Sequence, residues 1–342
     1  MLAPLFHRWE TRLANLCHTA RVVRPFEWGL DWIPSNGHPP EPSPEHAVRR
    51  WIDVVMQDTD AFFTPPPTAD YQFSAATNDH GQGWLTFPSA LATPHAANNT
   101  VHARLFPAKD KRRAVVVLPQ WNSGSAGHIG LSRLLARAGI TALRLSLPYH
   151  DRRMPPELTR ADFIVSSNVV RTVQVCRQAV LDTRRALWWL RDQGYERLGL
   201  LGTSLGSCLA MLTASHEPLV NAQALNHVSP FFADVVWRGL STAHVRAGLE
   251  GHIELETLRD LWRPISPWSY LERARGRNTL LVYAKYDLTF PVDLSRKLVD
   301  EFARLGIATD VAVLPCGHYS TGEAPYKYLD AYYLTRFLRR NL

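Results

Sequence analysis

The chain is poor in cysteine, has no long apolar run and opens without a basic leader. Its four cysteines, Cys17, Cys176, Cys208 and Cys316, stand far apart among 342 residues with no C-x-x-C pair. That argues against a zinc knuckle and against a disulfide scaffold. Cys176 and Cys208 fall in apolar helical runs, and Cys316 also reads as a packing residue. No apolar run approaches the roughly 20 residues that span a bilayer. The start, Met1 to Glu10, lacks the basic segment, apolar centre and small-residue cleavage site of a secretory leader, so the chain is read as cytoplasmic. The net charge is +7, but the basic residues are scattered. The two tight groups, Lys109 to Arg113 and Arg336 to Arg340, read as a surface turn and a solvated helix end. No nucleic-acid motif accompanies either, so nucleic acid is set aside as a partner. There is no internal repeat.

What is present is an ordinary globular composition, 46% hydrophobic and 20% charged, in a chain long enough for one elaborated α/β domain. Residues 1–70 read as an extension packed on the main domain, with an amphipathic helix over Phe6 to Leu16, a proline-rich loop over Ser35 to Pro44 and a helix over Ala47 to Asp58. From about residue 71 the pattern turns to strands: Tyr71 to Ala75, Gly83 to Pro88 and Thr100 to Phe106 as an antiparallel lead-in. Strands at 113–118, 140–147, 198–201, 220–225, 278–284 and 309–314 then alternate with helices at 130–138, 168–193, 207–214, 292–305 and 325–339. Such alternation predicts a mostly parallel sheet with helices on both faces. Right-handed crossovers put the loops after the strands along one edge. The aromatic stretch at about 231–277 is too long for a plain crossover. It reads as a helical cap that shapes a site or as a packed crossover with no special role.

The strongest local signal is Gly202-Thr-Ser-Leu-Gly206, where a strand meets a helix with Ser204 at the apex. Glycines two residues either side permit a close, sharp turn, and the following helix aims its free N–H donors at the serine. A serine hydroxyl is a weak nucleophile and needs an imidazole, itself oriented by a carboxylate. Asp287 follows the strand at 278–284. His318 follows the last strand, with Gly317 loosening the turn. The chain order is therefore Ser204, Asp287, His318. Asp234 and Asp260 in the insertion, and His150 and His227 after other strands, are the less economical choices.

An oxyanion formed at the serine needs two backbone N–H donors. Leu205 supplies one by position, and Trp121 or Gln120, after the 113–118 strand, the other. The His-Gly familiar at that place is replaced by Pro119-Gln120. Trp121, His150, His227 and Phe231 are placed in the substrate pocket. The run His150-Asp-Arg152 reads either as a site for a polar or anionic substrate group or as a structural ion-pair cluster.

These motifs resemble the α/β-hydrolase superfamily over about residues 70–342. The segments Leu145 to Arg153 and Asn226 to Asp234 are similar to bacterial relatives of alpha/beta-hydrolase domain-containing protein 18. The resemblance implies an α/β-hydrolase fold and esterase-like hydrolysis by Ser204, His318 and Asp287, without metal or organic cofactor. The expected substrate is a small-molecule or lipid-like ester. The alternatives are an amidase or acyltransferase with the same residues, or a non-catalytic scaffold that binds a lipid or a partner.

Overall fold

The computed structural model describes residues 2–17, 20–34, 42–75 and 82–342. Most of the proline-rich segment at 35–44 lies outside the described residues. Three helices open the chain: α1 (Ala3–Cys17), α2 (Pro44–Gln57) and α3 (Thr59–Phe62). Three strands follow: β1 (Gln72–Ala75), β2 (Gly83–Pro88) and β3 (Thr100–Phe106). The alternating part runs β4 (Arg113–Leu118), α4 (Ile129–Arg137), β5 (Thr141–Leu145), α5 (Val169–Asp192), β6 (Arg197–Thr203), α6 (Leu205–His216) and β7 (Val220–Asn226). Helices α7 (Phe232–Arg238), α8 (Ala243–Leu249) and α9 (Leu255–Leu261) intervene before β8 (Asn278–Ala284), α10 (Val292–Arg304), β9 (Thr309–Leu314) and α11 (Tyr326–Asn341).

All nine strands form one sheet in the order β1-β2-β3-β5-β4-β6-β7-β8-β9. Pairings from β1 to β5 through β2 and β3 are antiparallel, and every pairing from β5 to β9 is parallel. The apolar runs explain the parallel half. In β4, Ala114, Val116 and Leu118 enter the core on one face while Val115 and Val117 enter the core on the other, as a strand covered on both sides requires. Helices α5, α6 and α10 cover the first face, and α4 and α11 cover the second.

The chain passes from β4 out to β5 and then back across to β6 on the other side of β4. That reversal opens a crevice at the C-terminal ends of β4 and β6, where open α/β sheets hold their ligands. The loop 119–128 and Ser204 both sit there. The N-terminal residues are tied to α5 by side chains reaching backbone carbonyls: Gln174 to Trp32, Arg177 to Phe62 and Arg185 to Pro66. In α1 the buried residues are Glu10 and Ala14, flanked on the same face by the half-buried Phe6, Trp9 and Leu13, while Leu5 and Leu16 are exposed. The helix is amphipathic, as its sequence predicts, with one glutamate set inside its apolar face.

Candidate active site

Ser204 ends β6 and caps α6 with φ 56° and ψ −120°, a left-handed value that L-residues hold only where the surroundings over-determine it. The surroundings are visible. The Ser204 N–H donates to Asn226 O at 2.8 Å, and the Ser207 N–H and hydroxyl both donate to Ser204 O. A Cβ on Gly202 would overlap the Gly206 carbonyl, and one on Gly206 would overlap the Leu118 carbonyl. Both glycines are therefore set by close backbone approach.

The structure brings the three sequence-predicted residues together. His318 Nε2 lies 3.1 Å from Ser204 Oγ, and His318 Nδ1 lies 2.9 Å from Asp287 Oδ2. Asp287 Oδ1 accepts the N–H groups of Thr289 and Phe290 at 2.8 and 2.7 Å. The His318 ring lies flat against Phe290, centroids 5.4 Å apart. Burial by itself would raise the Asp287 carboxyl. The charge of His318 and the hydrogen bonds from His227 and His318 outweigh it and hold the group well below the usual carboxylate range.

His227 has a partner that sequence reasoning did not anticipate. Expected in the pocket, it is buried with its Nδ1 2.9 Å from the same Asp287 Oδ2 that bonds His318. The reason is local: it follows β7 with φ 57°, which turns its ring toward the neighbouring strand end. The ligand atoms of His227, Asp287 and His318 lie within 4.8 Å of one another, close enough to hold a metal ion. Here they are spent on each other, and the second nitrogen of His318 faces Ser204, the geometry of a proton relay. Asn226, just before, donates to Asp330 Oδ2 of α11 at 2.9 Å, while Asp330 Oδ1 and Asn226 Oδ1 are buried without a donor. Burial raises Asp330 to about 6, and a proton on the carboxyl would supply the missing donor.

His150, also expected in the pocket, braces a turn. It is fully buried, with Nδ1 2.8 Å from Pro148 O and Nε2 accepting the Asn122 N–H at 2.9 Å. Burial lowers it to about 4, so it is a neutral brace for the 119–122 turn. Its neighbours form an ion-pair cluster: Asp151 meets Arg144 and Ser146, and Arg152 lies over Trp84. The two discounted acids are likewise engaged, Asp234 by Arg259 and Asp260 by Arg49. Phe231 packs its half-buried ring on Trp268, with the Lys297 ammonium over both.

The oxyanion candidates sit as follows. Leu205 opens α6, so its N–H has no carbonyl within its own helix. In the turn after β4, Asn122 N–H is taken by His150 and Ser123 N–H by Gln120 O. Among the hydrogen bonds of the described residues this leaves the Gln120 and Trp121 N–H groups unengaged. The Trp121 indole donates to Ala161 O at 2.8 Å and stacks on His244, which fixes the turn from outside.

Residues 86–243 match a family model described as alpha/beta hydrolase domain containing 18. Solved structures share the architecture. An acetyl xylan esterase from Paenibacillus sp. R4 superposes with a TM-score of 0.65 at 16% identity, over 85% of this chain and 94% of that one. The chain has the α/β-hydrolase fold. The Pyrococcus horikoshii acylaminoacyl peptidase shares that fold, with TM-score 0.61 and 14% identity over 80% of this chain and 42% of that one. In sequence, the chain is 28% identical over 189 residues to the uncharacterized protein Rv2627c of Mycobacterium tuberculosis, covering 49% of this chain and 44% of the relative. The match thus spans less than half of that relative. At these identities the solved hydrolases speak for the fold, and the chemistry has to be argued from the site.

Proposed function

We propose that this α/β-hydrolase is a serine hydrolase that cleaves carboxylic esters through an acyl-enzyme. The observation that carries the reading is the continuous chain Ser204 Oγ, His318, Asp287 at 3.1 and 2.9 Å, with the serine at a strained apex. In the first step His318 Nε2 takes the Ser204 proton as Oγ attacks the ester carbonyl. Asp287 holds the Nδ1 proton and stabilises the imidazolium. The tetrahedral oxyanion is held by the Leu205 N–H and by the Trp121 N–H, with Gln120 as the alternative in the same turn. Collapse breaks the ester C–O bond, and the alcohol leaves with the proton from His318. Water then attacks the acyl group with His318 as base, which frees Ser204.

Segment 231–277 acts as a cap in this reading. Ser241 at its 240–242 turn bonds both Tyr319, beside the base, and Thr289, beside the acid, at 2.6 and 2.8 Å. Its 267–274 turn packs on α6, and Trp262 and Phe232 are buried edge to face. Ser204 is 6% exposed, so an ester reaches it when the cap parts from the elbow. The apolar residues of the cap favour an acyl chain or aromatic group. No helix among the described residues is long and apolar enough to cross a membrane, and the expected substrate is a diffusible or lipid-like ester.

The test is labelling with a fluorophosphonate probe together with turnover of p-nitrophenyl esters from acetate to palmitate. Wild type is expected to label and to hydrolyse at least one chain length. Ser204→Ala should abolish labelling and lower turnover by on the order of 10⁴-fold or more. Folded wild-type protein that neither labels nor turns over any ester would sink the reading. Cleavage of acyl amides in preference to esters would convert it to an amidase.

A further inference from the structure

The N-terminal helix touches the candidate catalytic centre at two points. Glu10 of α1 is completely buried, and its two carboxylate oxygens accept the N–H groups of Tyr319 and Ser320, each at 2.8 Å. These are the two residues directly after His318. Gly317, directly before it, has no room for a side chain because a Cβ there would run into the Glu10 carboxyl. Gly317 thus makes space for Glu10, and its φ lies outside the left-handed region. One turn earlier on α1, Phe6 stacks on Tyr286 at 4.5 Å and 12°. Tyr286 directly precedes Asp287, and its N–H donates to Cys316 O. The same helix therefore presses on the loop of the acid and hydrogen-bonds the loop of the base.

We infer that Glu10 is a positioning residue, holding His318 in line with Ser204 and Asp287 by clamping the backbone on the far side of the base. The inference rests on the proposed serine-hydrolase reading. A carboxylate is suited to the task because it offers two acceptors at once, and charge-assisted bonds to backbone N–H groups are short and strong. Without them the peptide planes of Tyr319 and Ser320 can rotate. Displacements of about 1 Å at a catalytic base are enough to cost on the order of 10²-fold in rate.

The experiment compares full-length wild type with Glu10→Gln, Glu10→Ala and Gly317→Ala. The first keeps the shape and loses one acceptor, the second loses both, and the third pushes on the same carboxyl from the other side. Three readouts are needed: the rate of fluorophosphonate labelling, kcat and KM for p-nitrophenyl acetate, and hydrogen exchange of segment 315–321. The expected result is labelling and kcat slowed about 10- to 100-fold in Glu10→Ala, with KM within about twofold of wild type. Glu10→Gln should fall between, and segment 315–321 should exchange faster in all three variants. Folded Glu10 variants that label at the wild-type rate would overturn the inference, even if their melting temperature is lowered, because that pattern is purely structural. If wild type itself does not label, the ester reading fails by itself and hydrogen exchange decides the clamp. Faster exchange at 315–321 in Glu10→Ala supports it, and unchanged exchange overturns it.

Discussion

The two edges of the sheet reverse the chain with different residues. Where strands begin, left-handed backbone falls on glycine: Gly139, Gly194, Gly276 and Gly306, just before β5, β6, β8 and β9, with φ from 65° to 90°. A Cβ at any of these would meet open space. Where strands end, positive φ falls on Asn122, His128, Tyr149, Asp151, Ser204 and His227, after β4, β5, β6 and β7. Each costs about 1–3 kcal/mol that a glycine would avoid. One edge is relaxed and uncrowded; the other keeps side chains in a conformation they disfavour. The strain is concentrated around Ser204, which points to that edge as the functional one without appeal to any motif.

The largest break in this contrast should come from Gly206→Ala. The added methyl meets the Leu118 and Pro119 carbonyls, so the elbow has to open. Fluorophosphonate labelling should fall at least about 100-fold, with a stability loss of about 1–3 kcal/mol in urea titration. A middle-sized effect is expected at Asp330, beneath the strained end of β7. Its folded value near 6 lies above the ordinary 3.8, so as pH rises the unfolded chain releases the proton first and stability falls. The window is pH 4 to 6, and the loss is about 3 kcal/mol, from roughly two units at 1.36 kcal/mol each. Asp330→Asn should flatten melting temperature against pH in that window, match wild type near pH 4 and exceed it at pH 7. A parallel decline in both proteins would contradict the buried proton. The smallest effect belongs to the relaxed edge. Gly139→Ala should cost about 1–2 kcal/mol with labelling unchanged, and a loss of labelling there would erase the contrast.

Much of the fold was legible because its strands are short apolar runs with clear stops. Gly83–Pro88, Thr100–Phe106, Arg113–Leu118, Asn278–Ala284 and Thr309–Leu314 were read to the residue. The 140–147 reading overran by three residues, since Ile140, Ser146 and Leu147 are as buried as the strand they flank. Ser204, Asp287 and His318 could be nominated because each sits at a strand end, and the sheet order brings β6, β8 and β9 to one edge. Their neighbours could not. Nothing in a lone histidine after a strand distinguishes His227, which shares the Asp287 oxygen, from His150, which braces a turn. Glu10 was invisible for a deeper reason. Phe6, Trp9, Leu13 and Ala14 mark the inward stripe of α1 and Glu10 falls within it, but periodicity does not say what a lone carboxylate there would bond. The actual docking is decided by two backbone N–H groups more than 300 residues away.

That separation has a consequence for when the protein becomes chemically competent. Contacts between residue 10 and residues 319 and 320 are among the most distant a chain of 342 can make, and closing so large a loop is deferred until shorter-range structure exists. The β4 to β7 segment can build the elbow early, during synthesis, with Ser204 in place. The imidazole and its clamp arrive only after β9 has left the ribosome and the first helix has folded back upon it. On the proposed serine-hydrolase reading, Ser204 lacks its base until then, and unfinished chains carry it unactivated.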